Sequence, residues 1–341
     1  MSVPKQKRRK PNGSAADAGI VYNGESITAT EAKLLKRKLL LEPLDLNSRL
    51  LLMGYYNSFR FSKRYLQERF IQVLWLIENR PADFFTSIAR ATSNGRNWSP
   101  EMTQVALDCW KKQAKKHPKD ARILFNAGIQ FEEVEPTRTI ALWKKSSKAD
   151  SNFAPPVRDL ANFYRRKART GIVSEKKRLV RLALDTLDLA LTLRHNDDFA
   201  FDEPITMLIE FTPVAITYGY LDRARQYATR LRRYKAHLLC RQFAETYLLR
   251  LDVIEGKYKS AEKRIARLKQ LYSEHPSHVT ANTQALLTLA DLCQHDQCNL
   301  AQLLLDAIRR GTDDKAELKI LSRWSNEIAR KLIPNFQVDS N

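Results

Sequence analysis

Residues 255–268 read EGKYKSAEKRIARL. Tyr258, Ala261, Ile265 and Leu268 recur at the three- and four-residue spacing of one helix face. Lys259, Lys263, Arg264 and Lys269 fall around that stripe and are expected to face solvent. Gly256 marks a turn ahead of the helix. The stretch is therefore one half of a helical hairpin, with a small residue, Ala261, where a neighbouring helix would approach closely. Its meaning depends on whether the same pattern recurs.

It does. Cys109-Trp110-Lys111-Lys112 is echoed 33 positions later by Leu142-Trp143-Lys144-Lys145, and at that spacing Gly128 aligns with Ala161 and Phe131 with Tyr164. A unit of about 34 residues built as helix-turn-helix needs small residues where two helices touch and large ones between neighbouring units. Such units are expected from Ser99 onward, beginning with Ala106, Trp110 and Pro118, then Leu124, Ala127, Gly128 and Phe131. Val157, Leu160, Ala161 and Tyr164 follow, then Leu208, Phe211, Thr212, Ala215, Gly219, Ala224, Ala228 and Leu231. Ala301, Leu305 and Ile308 repeat the spacing near the end, and a helix over 315–332 is expected to cap the stack.

These residues resemble the tetratricopeptide-repeat family: its first-helix small and large pair, its turn glycine, its second-helix alanine and its closing proline. The segments RLLLMGYY (49–56) and ERFIQVLWLIENRP (68–81) are similar to a leader of bacterial proteins of that family. The resemblance implies an all-α fold, a right-handed superhelix of antiparallel helix pairs, or α-solenoid. Other α-solenoids, including the RNA-processing half-repeat type, are the alternative. The pattern is irregular: Thr139 takes the small second-helix position only with a one-residue deletion, and Pro213 falls inside a first helix, where it is expected to kink it.

Composition agrees with an all-helical reading. The chain has 341 residues, 43% of them hydrophobic, but only 10 glycines and 13 prolines. Leu, Ala, Lys, Arg and Glu are strong helix formers. A chain of this length exceeds what one compact core usually serves, which leaves two domains or growth by repetition. Four cysteines are too few for a disulfide framework, and no run of about 18 apolar residues occurs. A cytoplasmic, reduced protein is expected. The formal charge of +20 favours an acidic partner and carries no information on fold.

Residues 1–25, with Lys5, Lys7, Arg8, Arg9 and Lys10, are expected to form a disordered basic arm. An N-terminal helical segment is expected over 26–95, opened by a Thr28-x-x-Glu31 capping box. The repeat domain spans 96–335, starting at Ser99-Pro100, and 336–341 is a disordered tail.

Motifs for chemistry are sparse. There is no Gly-rich phosphate loop, no His-Glu-x-x-His and no Gly-x-Ser-x-Gly, so no enzyme activity and no cofactor are expected. Ser174 and Lys177 satisfy Ser-x-x-Lys but read as a helix cap and its first turn. His275, His278, Cys293, His295 and Cys298 are metal-ligand types. They flank a helix over 279–293, however, and its length of about 20 Å separates the two groups, so no metal site is expected. Trp75, Trp110 and Trp143 sit in apolar stripes and read as packing residues. Trp98, ahead of a cap, reads as a hydrophobic staple.

In the family resembled, first helices line a groove that holds extended peptides or helices. The resemblance places Arg122 and Asn126, then Arg158, Asn162 and Arg165, in that groove. Arg grips carboxylates with two hydrogen bonds, and an Asn amide both donates to and accepts from a peptide backbone. Arg158 and Asn162 have the spacing with which family members grip acidic tails. The expected function is a protein-protein interaction scaffold for an acidic segment. A nucleic-acid partner is the alternative, through the basic arm and through Arg223, Arg230 and Arg233, which fall near one face of the basic stretch 223–235.

Overall fold

The computed structural model describes residues 15–59, 62–83, 98–193, 203–234, 237–274, 279–295 and 297–310, with 319 and 322. Every regular element among them is an α-helix. Contacts divide the chain into two compact units: Met1–Arg166 with Asp185–Ala200, and Lys167–Leu184 with Phe201–Asn341.

The first unit opens with α1 (Ala15–Gly24), α2 (Ala29–Leu41), α3 (Leu46–Ser58) and α4 (Lys63–Asn79). It continues with α5 (Pro100–Lys116), α6 (Ala121–Phe131), α7 (Pro136–Ala149) and most of α8 (Pro155–Thr170). Helix α9 (Val173–Thr192) has residues in both units.

Helix α1 corrects the expectation of a disordered arm through residue 25. Its sequence lacks periodicity because it docks through backbone. A Cβ at Gly24 would lie 2.2 Å from the Leu51 carbonyl oxygen, and one at Gly54 1.9 Å from that of Val21. That close approach buries Val21 with Leu50 and Met53. The capping box of α2 is present as expected: Glu31 N–H donates to Thr28 Oγ1 at 3.2 Å, and Thr28 N–H to Glu31 Oε2 at 2.7 Å. Ser99 caps α5 through Met102 N–H, with Pro100 in its first turn. Trp98 packs on Phe70 of α4 at 5.0 Å between ring centroids.

Helices α6 and α7 are joined by a polar seam. Thr139 Oγ1 donates to the Gly128 carbonyl at 2.9 Å, Trp143 Nε1 to Phe125 at 3.2 Å, and Ser146 Oγ to Ala121 at 2.6 Å. The three donors follow one helical face and are all buried. A Cβ on Gly128 would meet the Trp143 ring at 2.4 Å. Thr139 therefore does occupy the close-contact position assigned by resemblance.

The second unit contains α10 (Glu203–Thr217), α11 (Leu221–Arg232), α12 (Leu238–Ile254), α13 (Tyr258–Glu274), α14 (Val279–Gln294) and α15 (Cys298–Arg310). Its turns repeat in register. Tyr220 N–H bonds to Ala215, Lys257 N–H to Asp252 and Gln297 N–H to Leu292, each reaching back five residues at 2.7–2.9 Å. This is the wide bond of a Schellman ending. Gly219 (φ 78°) and Gly256 (φ 69°) supply the left-handed residue in the first two. Four residues after each donor stands a fully buried alanine: Ala224, Ala261 and Ala301. The α6–α7 turn lacks the extra residue. There Glu135 N–H reaches back only four, to Phe131, and Thr139 follows four later. The one-residue deletion read from sequence lies in this turn.

Pro213 lies inside α10, which continues to Thr217. Proline has no N–H for the Ile209 carbonyl four residues back. The Tyr247 hydroxyl of α12 donates to that carbonyl at 2.7 Å and takes the missing place. Helix α12 is buried almost all round, from Gln242 to Leu249 and again from Leu251 to Val253.

Residues 1–14 with the basic cluster, 84–97, His275, His278 and the 336–341 tail lie outside the described residues. Of the expected final helix, only Lys319 and Ser322 are described, both helical.

Candidate partner-binding face

The five residues assigned to a groove lie on α6 and α8 of the first unit, but they do not form one exposed set. Asn126 is 3% exposed, and its Nδ2 donates to the carbonyls of Pro81 at 2.8 Å and Asp83 at 3.1 Å. Its amide braces the turn after α4, so the groove position implied by the resemblance does not fit it. Arg122, one turn earlier, is half-buried, with its guanidinium 5.3 Å from the centre of the Phe153 ring. Phe153 stands just ahead of α8, so this cation–π contact holds Arg122 beside the N-terminal end of that helix.

On α8, Arg158, Asn162 and Arg165 follow at four- and three-residue spacing, which puts them along one side of the helix. The Arg158 side chain is 16% exposed and its Nε lies 3.7 Å from Asp159. Burial pushes the Asp159 carboxyl above the ordinary carboxylate range, against the pull of Arg158. Arg165 is half-buried and engaged within the fold. Arg166, one residue on, forms an ion pair with Glu132. Asn162 differs from its neighbours. It is half-buried, and its Oδ1 is screened from solvent without a hydrogen-bond partner among the described residues. A screened acceptor of that kind is costly to leave unpaired.

The three ridge arginines lie on α11 or at its end. Arg223 is half-buried, its guanidinium 5.9 Å from the Tyr220 ring centre, and has further contacts; Arg230 is likewise engaged. Arg233 caps the helix and is exposed. The other arginines of the stretch turn to acids on α12 and at its C-terminal cap. Arg225 bonds Asp252 and Glu255 at 3.0 Å each, and Arg232 approaches Glu245 at 3.9 Å.

That acidic row was invisible in the sequence. Asp252 is 1% exposed, yet it receives Ser260 Oγ at 2.6 Å, Arg264 Nε at 2.5 Å and Arg225. Burial raises its carboxyl, but these donors outweigh burial and hold it below the ordinary range. Arg264 also bonds Glu245 at 3.0 Å. Arg264 is thus no solvent-facing charge, contrary to the sequence reading: a buried carboxylate one helix away draws it inward. Only knowledge of which helix packs there could have revealed it.

Cys293 and Cys298 are buried in the apolar core of the second unit with Leu289, Ala301 and Leu305, while His295 is exposed. Among the described residues no group of three or more His, Cys, Asp or Glu is placed to hold a metal ion, and no helix is long and apolar enough to cross a membrane. No protein-family model matches the chain, and no curated protein does.

Proposed function

We propose that this chain is a non-enzymatic scaffold of the tetratricopeptide-repeat type, and that α8 of its first unit holds an acidic protein segment. The observation that carries the reading is Asn162 Oδ1, a screened acceptor without a partner among the described residues, one turn from Arg158. A bound segment in extended conformation would present a backbone N–H to Asn162, and Arg158 would take a carboxylate. Asp159, 3.7 Å from Arg158, is the group an incoming carboxylate would have to displace from that guanidinium. The recurring turn register and buried alanines of α10–α15 support the repeat reading independently of the site.

The test is affinity capture from the native source with wild type and with Arg158→Glu/Asn162→Ala. Loss of a protein partner by the double variant, with an unchanged thermal midpoint, supports the proposal. Retention of every partner contradicts it.

A second reading, nucleic-acid association, is supported by the +20 charge. Of its three ridge residues, Arg233 alone is exposed, while Arg223 and Arg230 are half-buried. A steep fall in nucleic-acid affinity between low and physiological salt would favour it.

A further inference from the structure

Helix α2 is apolar on two opposite sides. Its inner side places Ala32, Leu35 and Leu39 against Leu52, Tyr55 and Tyr56 of α3. At 100° per residue, Leu34, Arg37 and Leu41 fall on the side facing away from Ala32 and Leu39. Leu34 is 56% exposed, Leu40 83% and Leu41 85%, and Leu44, just past the helix end, is 73%. A surface helix ordinarily keeps its outer side polar; one that is apolar on both sides meets two apolar phases.

The second phase can be identified from shape and charge. These leucines stand outward from the helix, and they are aliphatic only. Lys33, Arg37 and Lys38 are exposed among them. The nearby acids are held locally: Glu31 in the capping box, and Asp45 by Lys38 at 2.5 Å, with Glu42 3.7 Å from the same lysine. A second copy of the chain would bring together two molecules of formal charge +20. A membrane surface of anionic lipid meets both requirements. Leucine tips enter the acyl boundary while lysine and arginine remain at the level of the phosphates. We propose that the outer side of α2, centred on Leu34, Leu40, Leu41 and Leu44, docks on an anionic bilayer surface. This is independent of the α8 face and leaves that reading unchanged if it fails.

The experiment is flotation of the full chain with vesicles of phosphatidylcholine alone and of phosphatidylcholine with phosphatidylserine. Wild type is expected to bind only the anionic vesicles. Leu40→Ser/Leu41→Ser should bind them roughly a hundredfold more weakly, from the loss of two buried leucines. Lys33→Glu/Arg37→Glu should lose binding most at low salt, where charges are least screened. Both leucines are mostly in solvent, so the serine variant should keep the wild-type thermal midpoint. Equal binding by the serine variant and wild type would reduce the effect to bulk charge and overturn the proposal. Absence of wild-type binding to anionic vesicles, or equal binding to neutral ones, would also overturn it.

Discussion

Asp252 and Gly128 show how single residues hold the two units. Removing the Asp252 carboxylate leaves Arg264 and Arg225 without their shared acceptor, so Asp252→Ala is expected to cost about 3–5 kcal/mol in urea denaturation. The pH dependence follows in sign. Because the folded carboxyl titrates below its ordinary value of 3.8, its stabilisation is fully present above that value. It is lost as pH falls through the lower, folded value. Unfolding midpoints of wild type and Asp252→Asn should therefore converge on acidification below about pH 4; a constant gap down to the acid limit would refute the linkage. At Gly128 the conflict is steric. Alanine is the better helix former by about 1 kcal/mol, but its Cβ would press on Trp143, so Gly128→Ala should destabilise by about 1–3 kcal/mol. A gain in stability would contradict the packing described. The small-residue requirement at 128 was legible from its spacing with Ala161. The burial of Arg264 and Asn126 was not, because each is a polar residue whose partner sits on another element.

Among the elements, local signals were read correctly where chemistry is local. The Thr28 box, the Ser99-Pro100 start and the Gly256 turn all depend on residues within one turn of each other. Helix α1 was missed because its docking uses Gly24 and Gly54 rather than an apolar stripe. Pro213 was read as a kink that removes one backbone bond, and a hydroxyl from α12 satisfies the carbonyl it frees. This gives a double-mutant cycle. Tyr247→Phe should cost about 1–3 kcal/mol, since it leaves a buried carbonyl unpaired. In a Pro213→Ala background, which restores the N–H, the same change should cost measurably less in denaturant unfolding. Equal costs in both backgrounds would mean that the tyrosine does not serve the proline.

For the whole molecule, the all-helical fold with consecutive helices in contact was legible, and the misfit in the sequence pattern has a structural counterpart. The three five-residue turn bonds of the second unit recur with the buried alanines, and the shorter α6–α7 turn accounts for the misfit at Thr139. Charge was a poorer guide. The basic stretch 223–235 reads as a ridge, but Arg225 and Arg232 turn to acids of α12. The most direct test of the scaffold reading is site-specific photo-crosslinking in lysate from the native source. A photoreactive phenylalanine analogue would replace Asn162 on α8 in one sample and Arg233 on the ridge in another. Position 162 is expected to give discrete protein adducts that map to an acidic segment, and position 233 none. Adducts from position 233 alone, whether to protein or to nucleic acid, would contradict the scaffold reading.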